Sequence, residues 1–580
     1  MIGLLTMSRR RSFVPLIVFI LVVAAITAAM LAFSLKRRPR VAMEAYVPQS
    51  ALAFIEIDDL PGLVDNFTST ELWRKLAPAL GLSNDLRYLG SAGRIASLGL
   101  APTEAVLLSR AQYAIVVTGV EAVGEEIKPR IALIAETHSD SESVKQIADT
   151  KLPLLARRIF GEGVSSETSQ YNGVMTRKLF LSGATGKQII AATIGSILIV
   201  ANHESSIEAA IDARLGRIAS MALNPQLQKS RTEIGQKSQL FAFATSDGAS
   251  KLFQLSLHVL AGGLVDAISE KIDIGEAFSS SISRSLGGLA YSASFENGIV
   301  VDRYLYLLEP QIASAIRNQV KVVADNPRAL DLIPQSASSF RVIMINRPSQ
   351  ALDALLAAIS SRVDFATSYL TRQAVIELGK QFGLRPEESI ADALGDELAV
   401  VSFPQAEMAF LIEVKDQATI APVVRRYLLR SGSAVKTEDY NGIDFFTSAD
   451  NQKSAAFIGR FLVLASRNQM ASFIDARVQK RSIGSQPGIQ DIFKERPSDA
   501  MIISYKSDRS KSGELMLAIA KLLRASSGDP DILRDQPIQS ALASLPPNLA
   551  FTRLNNDCIV TEERSAAGNF TILSMILGGE

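Results

Sequence analysis

The chain has 580 residues, too many for one hydrophobic core, so two or more domains are expected. With 47% hydrophobic and 21% charged residues it is globular rather than disordered, and a net charge of +1 offers no broad basic surface to nucleic acid. The single cysteine, Cys558, excludes internal disulfides and a cysteine-based zinc site.

The first feature along the chain is an uncharged run from Phe13 to Leu35. As a helix it would rise about 34 Å, enough to cross a bilayer. Arg9, Arg10 and Arg11 precede it, and Lys36, Arg37, Arg38 and Arg40 follow. The run is longer than a signal peptide's apolar region and no small-residue cleavage site follows, so it reads as an uncleaved anchor. Because the basic flanks nearly balance, they do not fix orientation alone; the expectation is a cytoplasmic N-terminus and a periplasmic bulk. The expected organisation is a cytoplasmic tail (1–12), a transmembrane helix in lipid (13–35), a linker (36–46), a first unit (47–309), a connecting helix and linker (310–332), and a second unit (333–580). Leu255 to Ile268 is apolar but interrupted and reads as a core helix.

Beyond the anchor the chain runs through the same series twice. Val47-Pro48-Gln49-Ser50 opens the first copy and Ile333-Pro334-Gln335-Ser336 the second. A strand follows (51–57 or 340–345), then a helix begun by Pro61 or Pro348, proline being tolerated in a first turn. Glu56 and Asp58 share one face of the first strand. Their counterparts near Val342 to Met344 are apolar, which argues against a shared acidic site. Trp73, with Leu72 and Leu76, reads as core. Strand pairs come next, 113–118 with 130–136 and 397–403 with 408–414, then helices at 141–160 and 418–429. A last hairpin closes each copy, at 289–307 and 549–563, turning at Asn297-Gly298 and Asn556-Asp557.

The closest internal match is a block running from Tyr171-Asn172-Gly173 to Ile211-Asp212-Ala213-Arg214, repeated from Tyr440-Asn441-Gly442 to Ile474-Asp475-Ala476-Arg477. Gly195 and Gly459 lie 264 positions apart, and Ile211 and Ile474 lie 263 apart, so the spacing slips by one residue. Such self-similarity marks one structural unit used twice. Within the block, Ile194-Gly195 and Ile458-Gly459 each separate two short apolar strands, as in a hairpin. Asn202 and Ser466 are the expected N-caps of the helices that follow, with Gln469 at capping-box spacing. Ile207, Ile211, Leu215 and Ile218 form the expected buried stripe. Asp212, Arg214, Asp475 and Arg477 read as a solvated helix face, and the two Asn-Gly pairs as turns.

Patterns that carry chemistry are scarce. His138, His203 and His258 lie in the first copy without repeated partners, and neither H-E-x-x-H nor G-x-S-x-G occurs. Gly183-Ala184-Thr185-Gly186-Lys187-Gln188 imitates a phosphate loop but lacks the first glycine and the final Ser/Thr, and it precedes a strand. No catalytic, cofactor or metal residue is assigned, and no cofactor is expected.

The Pro-Gln-Ser strand start after the anchor, Leu394-Gly395-Asp396-Glu397-Leu398-Ala399-Val400, Phe410-Leu411-Ile412-Glu413-Val414, Tyr440-Asn441-Gly442 and Ile458-Gly459 are the residues that carry a family likeness. On them the chain, over most of 45–565, resembles a bacterial domain-of-unknown-function family, family 3352, of membrane-anchored envelope proteins. An insertion at residues 119–128 is where the first copy departs from it. The resemblance implies no activity and no site residues. The expected fold is α+β: a transmembrane helix followed by two tandem duplicated units, each with mostly antiparallel sheets covered by helices. The expected function is a membrane-anchored envelope protein with a non-catalytic binding or scaffold role and a protein or small-ligand partner. The alternative is an envelope hydrolase whose active site is assembled from dispersed residues.

Overall fold

The computed structural model describes residues 40–82, 104, 107–108, 110–123, 126–183, 187–251, 286–323, 327–346, 348, 350, 380, 390–404, 407–429, 434–486, 489, 496–507, 509–522 and 530–571. The first copy of the repeat contributes β1 (Ala53–Ile57), β2 (Gln112–Val123), β3 (Glu126–Glu136), β4 (Val164–Tyr171), β5 (Val174–Leu181), β6 (Gln188–Ile194), β7 (Ile197–Ala201), β8 (Leu240–Thr245), β9 (Leu286–Glu296) and β10 (Ile299–Leu308). The second contributes β11 (Ser339–Met344), β12 (Leu394–Ser402), β13 (Met408–Val414), β14 (Val435–Tyr440), β15 (Ile443–Ser448), β16 (Ser454–Ile458), β17 (Phe461–Ala465), β18 (Ile502–Lys506), β19 (Asn548–Asn555) and β20 (Cys558–Ser565).

These 20 strands form one sheet, and each pairing in it is antiparallel. Followed outward from the centre, one half runs β10-β9-β8-β1-β2-β3-β7-β6-β5-β4. The other runs β20-β19-β18-β11-β12-β13-β17-β16-β15-β14, so every strand has its counterpart at the mirrored place. The halves join where β10 lies against β20, from Val300 opposite Ser565 to Leu307 opposite Cys558. The outermost strands, β4 and β14, are mostly exposed and carry hydroxyl and charged residues.

This continuous sheet corrects the expected fold class of two tandem units with separate sheets. The physical reason is that β10 and β20 each present an apolar row that a lone half would leave open: Val301, Leu305, Leu307, Cys558 and Val560 are all buried at the joint. No helix among the described residues is long and apolar enough to cross a membrane, and the expected spanning segment 13–35 lies outside them. Residues 252–285 and 351–379, with the expected core helix at Leu255 to Ile268 and most of the helix begun by Pro348, also lie outside.

Strand alternation puts alternate side chains into cores on opposite faces. On β1, Phe54 enters the core under the helices Glu204–Arg214 and Pro225–Ile234, while Ile57 enters the one under Ser141–Phe160. On β17 every residue is buried, because Phe461 and Val463 pack beneath Arg467–Val478 while Leu462 and Leu464 pack beneath Gln417–Leu429. A further core crosses between halves. Trp73, Leu72 and Leu76 of the first half pack with Leu515, Met516 and Leu542 of the second.

Local departures from the sequence reading have simple causes. Ser466 does close the expected capping box with Gln469. The helix Glu204–Arg214 is capped by His203 instead of Asn202, because the Asn202 amide is engaged elsewhere. Its Oδ1 accepts from Ile131 N (2.8 Å) and its Nδ2 donates to Pro129 O (2.9 Å), tying β7 to β3. Leu215 and Ile218 are exposed, since the helix ends at Arg214 and the buried stripe ends with it. The insertion expected at 119–128 is largely an extension of the β2–β3 pair, which continues to Val123 opposite Glu126. The Trp73→Ala substitution should cost about 3–5 kcal/mol, as emptying a packed aromatic site does; equilibrium urea unfolding followed by circular dichroism measures it.

Candidate functional site

The repeated block folds into a clamp. Tyr171 and Asn172 sit at the tip of the β4–β5 hairpin, and Asp212 lies on the helix Glu204–Arg214. The Tyr171 hydroxyl donates to Asp212 Oδ2 at 2.8 Å, and Asn172 Nδ2 donates to Oδ1 at 2.7 Å. In the second half Tyr440 and Asn441 hold Asp475 in the same way, at 3.2 and 2.9 Å. Asn172 and Asn441 take φ of 51° and 54°, the left-handed conformation that asparagine tolerates in tight hairpin turns. The acceptor Asp212 pushes the Tyr171 phenol above its usual range. The hairpin motif and the helix motif, read separately in the sequence as turn and solvated face, are therefore one bidentate contact made twice. Its work is to fasten the sheet's outer hairpins to the helix layer.

A second repeated device holds the segment that enters each half. Gln112 Oε1 accepts from Val41 N at 2.7 Å, and Gln112 Nε2 donates to Val41 O at 2.9 Å. At the equivalent place Glu397 accepts from Ala329 N (2.7 Å) and Arg328 N (3.2 Å). Burial raises the Glu397 carboxyl above its ordinary range, with the two N–H groups and the Arg328 charge opposing the rise. The neighbouring strand supplies Glu136 in one half and Glu413 in the other. Glu413 accepts from Asp396 N at 3.1 Å and pairs with Arg328 Nη1 at 3.1 Å.

The first half adds something the second lacks. Arg231, on the helix Pro225–Ile234, reaches under the sheet and lies over the Phe241 ring, 4.4 Å from its centroid. Its Nη2 donates to Glu44 Oε2 at 2.8 Å and makes a closer contact with Glu56 Oε2. Asp58 adjoins Glu56 and is held by Gln112 Nε2 at 2.8 Å and by Arg40 Nη1 at 3.5 Å. Gln112 also bonds His138 Nε2 at 3.0 Å, and the Tyr46 hydroxyl donates to Glu136 at 3.4 Å. Glu397 and Glu413 likewise share one guanidinium, that of Arg328, but backbone N–H groups also meet them; Glu44 and Glu56 rely on Arg231, so the carboxyl with the least water yields. Burial pushes Glu56 up to about 8; Arg231 pulls against the shift, and Asp58 and Glu44 reinforce it. Alternation along β1 does place Glu56 and Asp58 together, as the sequence suggests. Arg231 and Glu44, distant in sequence, carry no pattern that would have joined them to it.

The remaining candidates resolve as structure. His203 is the helix cap, its Nδ1 accepting from Ser205 N at 3.2 Å, while His258 lies outside the described residues. Gly183 lies in a turn and Gln188 opens β6, so the phosphate-loop imitation leads into a strand, and residues 184–186 lie outside the described residues. Burial pushes the Cys558 thiol up to about 11, which keeps it protonated at neutral pH and unsuited to nucleophilic attack. Among the described residues no group of three His, Cys, Asp or Glu side chains is placed to hold a metal ion.

Fold and site together define a duplicated antiparallel sheet protein, covered by helices on both faces, with an ionic cluster sealed inside one half. Residues 317–550 match the family described as "Protein of unknown function (DUF3352)". The match covers most of the second half, not the longer stretch from 45 to 565 over which the sequence resembles that family. No curated protein and no solved structure matches the chain.

Because folded Glu56 holds its proton more tightly than the unfolded chain does, its contribution to stability is fully present below pH 4.5 and is lost as pH rises through about 8. The Glu56→Gln variant should remove this slope and gain on the order of a few kcal/mol over wild type near pH 9. Urea midpoints measured across pH 5–9 test it. The Asp475→Ala variant should cost only about 1–2 kcal/mol, three solvent-accessible hydrogen bonds being lost, from Tyr440, Asn441 and Gln479; the same titrations at pH 7 measure it.

Proposed function

We propose that the protein is a non-catalytic binding or scaffold protein of the cell envelope, tethered to the membrane through residues 13–35, with a protein or small-ligand partner. The tether rests on the sequence of that uncharged run. The binding role is supported by how the polar and ionisable groups are used: they tie one segment to another, in matching places in both halves. Gln112 and Glu397 hold entry segments, and Asp212 and Asp475 hold hairpin tips. Groups committed to such contacts are not free to bind or transform a substrate.

One observation favours a hydrolase as the second reading. Glu56, raised to about 8 beside Asp58, has the perturbed proton affinity that general acids and bases require. Against it stands access, since Glu56 is only 4% exposed, beneath Arg231.

Photo-crosslinking of the full chain in intact membranes separates the two readings. The binding role predicts one recurrent crosslinked partner that persists unchanged in the Glu56→Gln variant. Loss of cellular function in that variant, with partner capture and folding intact, would transfer the case to the hydrolase. A reporter fused after Glu580 that is active only outside the cytoplasm should be active; an inactive fusion on intact protein overturns the envelope placement.

A further inference from the structure

We infer that the central strand pair is a partner-selective joint, in which the inner edge of the first half takes the second half of this chain and rejects another copy of itself. Asn297 and Asn556, the hairpin turns of the two halves, lie 259 positions apart, and so do Arg303 and Glu562. Arg303 and Glu562 are also directly opposite each other in the β10–β20 register. They therefore occupy the same place in their respective halves and meet on the local two-fold axis.

That coincidence fixes what any like-with-like pairing would bring together. In the chain as built, Arg303 Nε donates to Glu562 Oε2 at 3.0 Å, with the side chains 18% and 12% exposed, so solvent screens the pair little. Two first halves joined in the same register would set Arg303 against Arg303, each keeping only its own Glu296 at 2.9 Å, and two second halves Glu562 against Glu562, each keeping only its own Arg564 at 3.0 Å. Of the rest of the strand contact, Val301, Leu305 and Leu307 with Cys558 and Val560 are apolar and discriminate poorly. Asp302 lies opposite Glu563, and burial raises both carboxyls above their ordinary range, the Asp302 charge adding to the rise on Glu563.

The hairpin tip repeats the argument at two further positions. Lys229, on the helix Pro225–Ile234, pairs with Asp557, and Asn555 Nδ2 donates to Glu233 Oε2 at 2.7 Å. By the same 259-residue offset, Gly298 occupies the place of Asp557 and Glu296 that of Asn555. A first-half copy seated on this joint would leave Lys229 without its carboxylate and press Glu296 toward Glu233. Specificity of this kind comes from the repulsive element as much as from the attractive one.

The test uses the full chain with a protease site inserted between residues 324 and 325, cut after folding. Size-exclusion chromatography with native mass spectrometry should show the two pieces as a one-to-one complex, with no piece paired to its own kind. Adding Glu562→Arg, which sets two guanidinium groups on the axis, should weaken the cut complex at least about 100-fold, like charges across an interface being costly. Adding Glu562→Gln should weaken it far less. The uncut Glu562→Arg protein, checked by circular dichroism, separates lost association from lost folding. Should it fail to fold, Asp557→Lys, opposing Lys229 at the half-exposed tip, is read in the same way. Pieces of the wild type that drift apart or sort into like pairs would overturn the inference, as would charge-reversed pieces that stay together as tightly as wild type.

Discussion

The antiparallel contact between β10 and β20 is the constraint on which the rest of the molecule depends. A sheet edge carries a row of backbone donors and acceptors that must find partners or be shielded. Here the two inner edges satisfy each other, and their apolar rows close the core beneath. Sequence duplication thus becomes a two-fold arrangement within one chain, and the sheet extends outward from that joint through the same order of strands on either side. The shared helix core around Trp73 then locks one half onto the other on the opposite face of the sheet.

Charges inside this frame serve as fasteners. Burying a carboxylate is costly unless backbone N–H groups or a cation meet it. Glu397 and Glu413 have both, in contacts that hold the chain where it enters the second half. The first half departs from this balance at one place, where Glu44 and Glu56 share Arg231 and the surplus negative charge is relieved by a proton on Glu56. The counterparts of Glu44 and Glu56 are Leu330 and Val342, apolar residues that need no such compensation. The halves share a shape while differing in their internal electrostatics.

Much of this architecture can be read from the residues. The alternating and all-apolar runs locate most strands, the Asn-Gly pairs locate the hairpins, and Ser466 with Gln469 locates a helix start, because each is a local signal with a local cause. Two kinds of information are not local. Whether two repeated units keep separate sheets or share one depends on which edges meet, and Val301 or Val560 would be apolar on either account. Likewise Arg231 looks like any helix-surface arginine until the fold carries it to Glu44 and Glu56, some 175 to 187 positions away. The clamp was half visible. Both of its motifs repeat, but only the packing of hairpin against helix unites Tyr171 with Asp212.

The lateness of β20 in the chain has a consequence for biosynthesis. Leu308 ends β10 and Cys558 begins its partner, so some 250 residues must be translated before the two can pair. At about 5–20 residues per second, the inner edge of the first half waits roughly 12–50 seconds on the ribosome. During that interval Val301, Leu305 and Leu307 lack the strand that seals them, and another nascent chain could dock there in its place. Repulsion between two arginines at position 303 would discourage that encounter when neighbouring ribosomes on one message carry the same unfinished half.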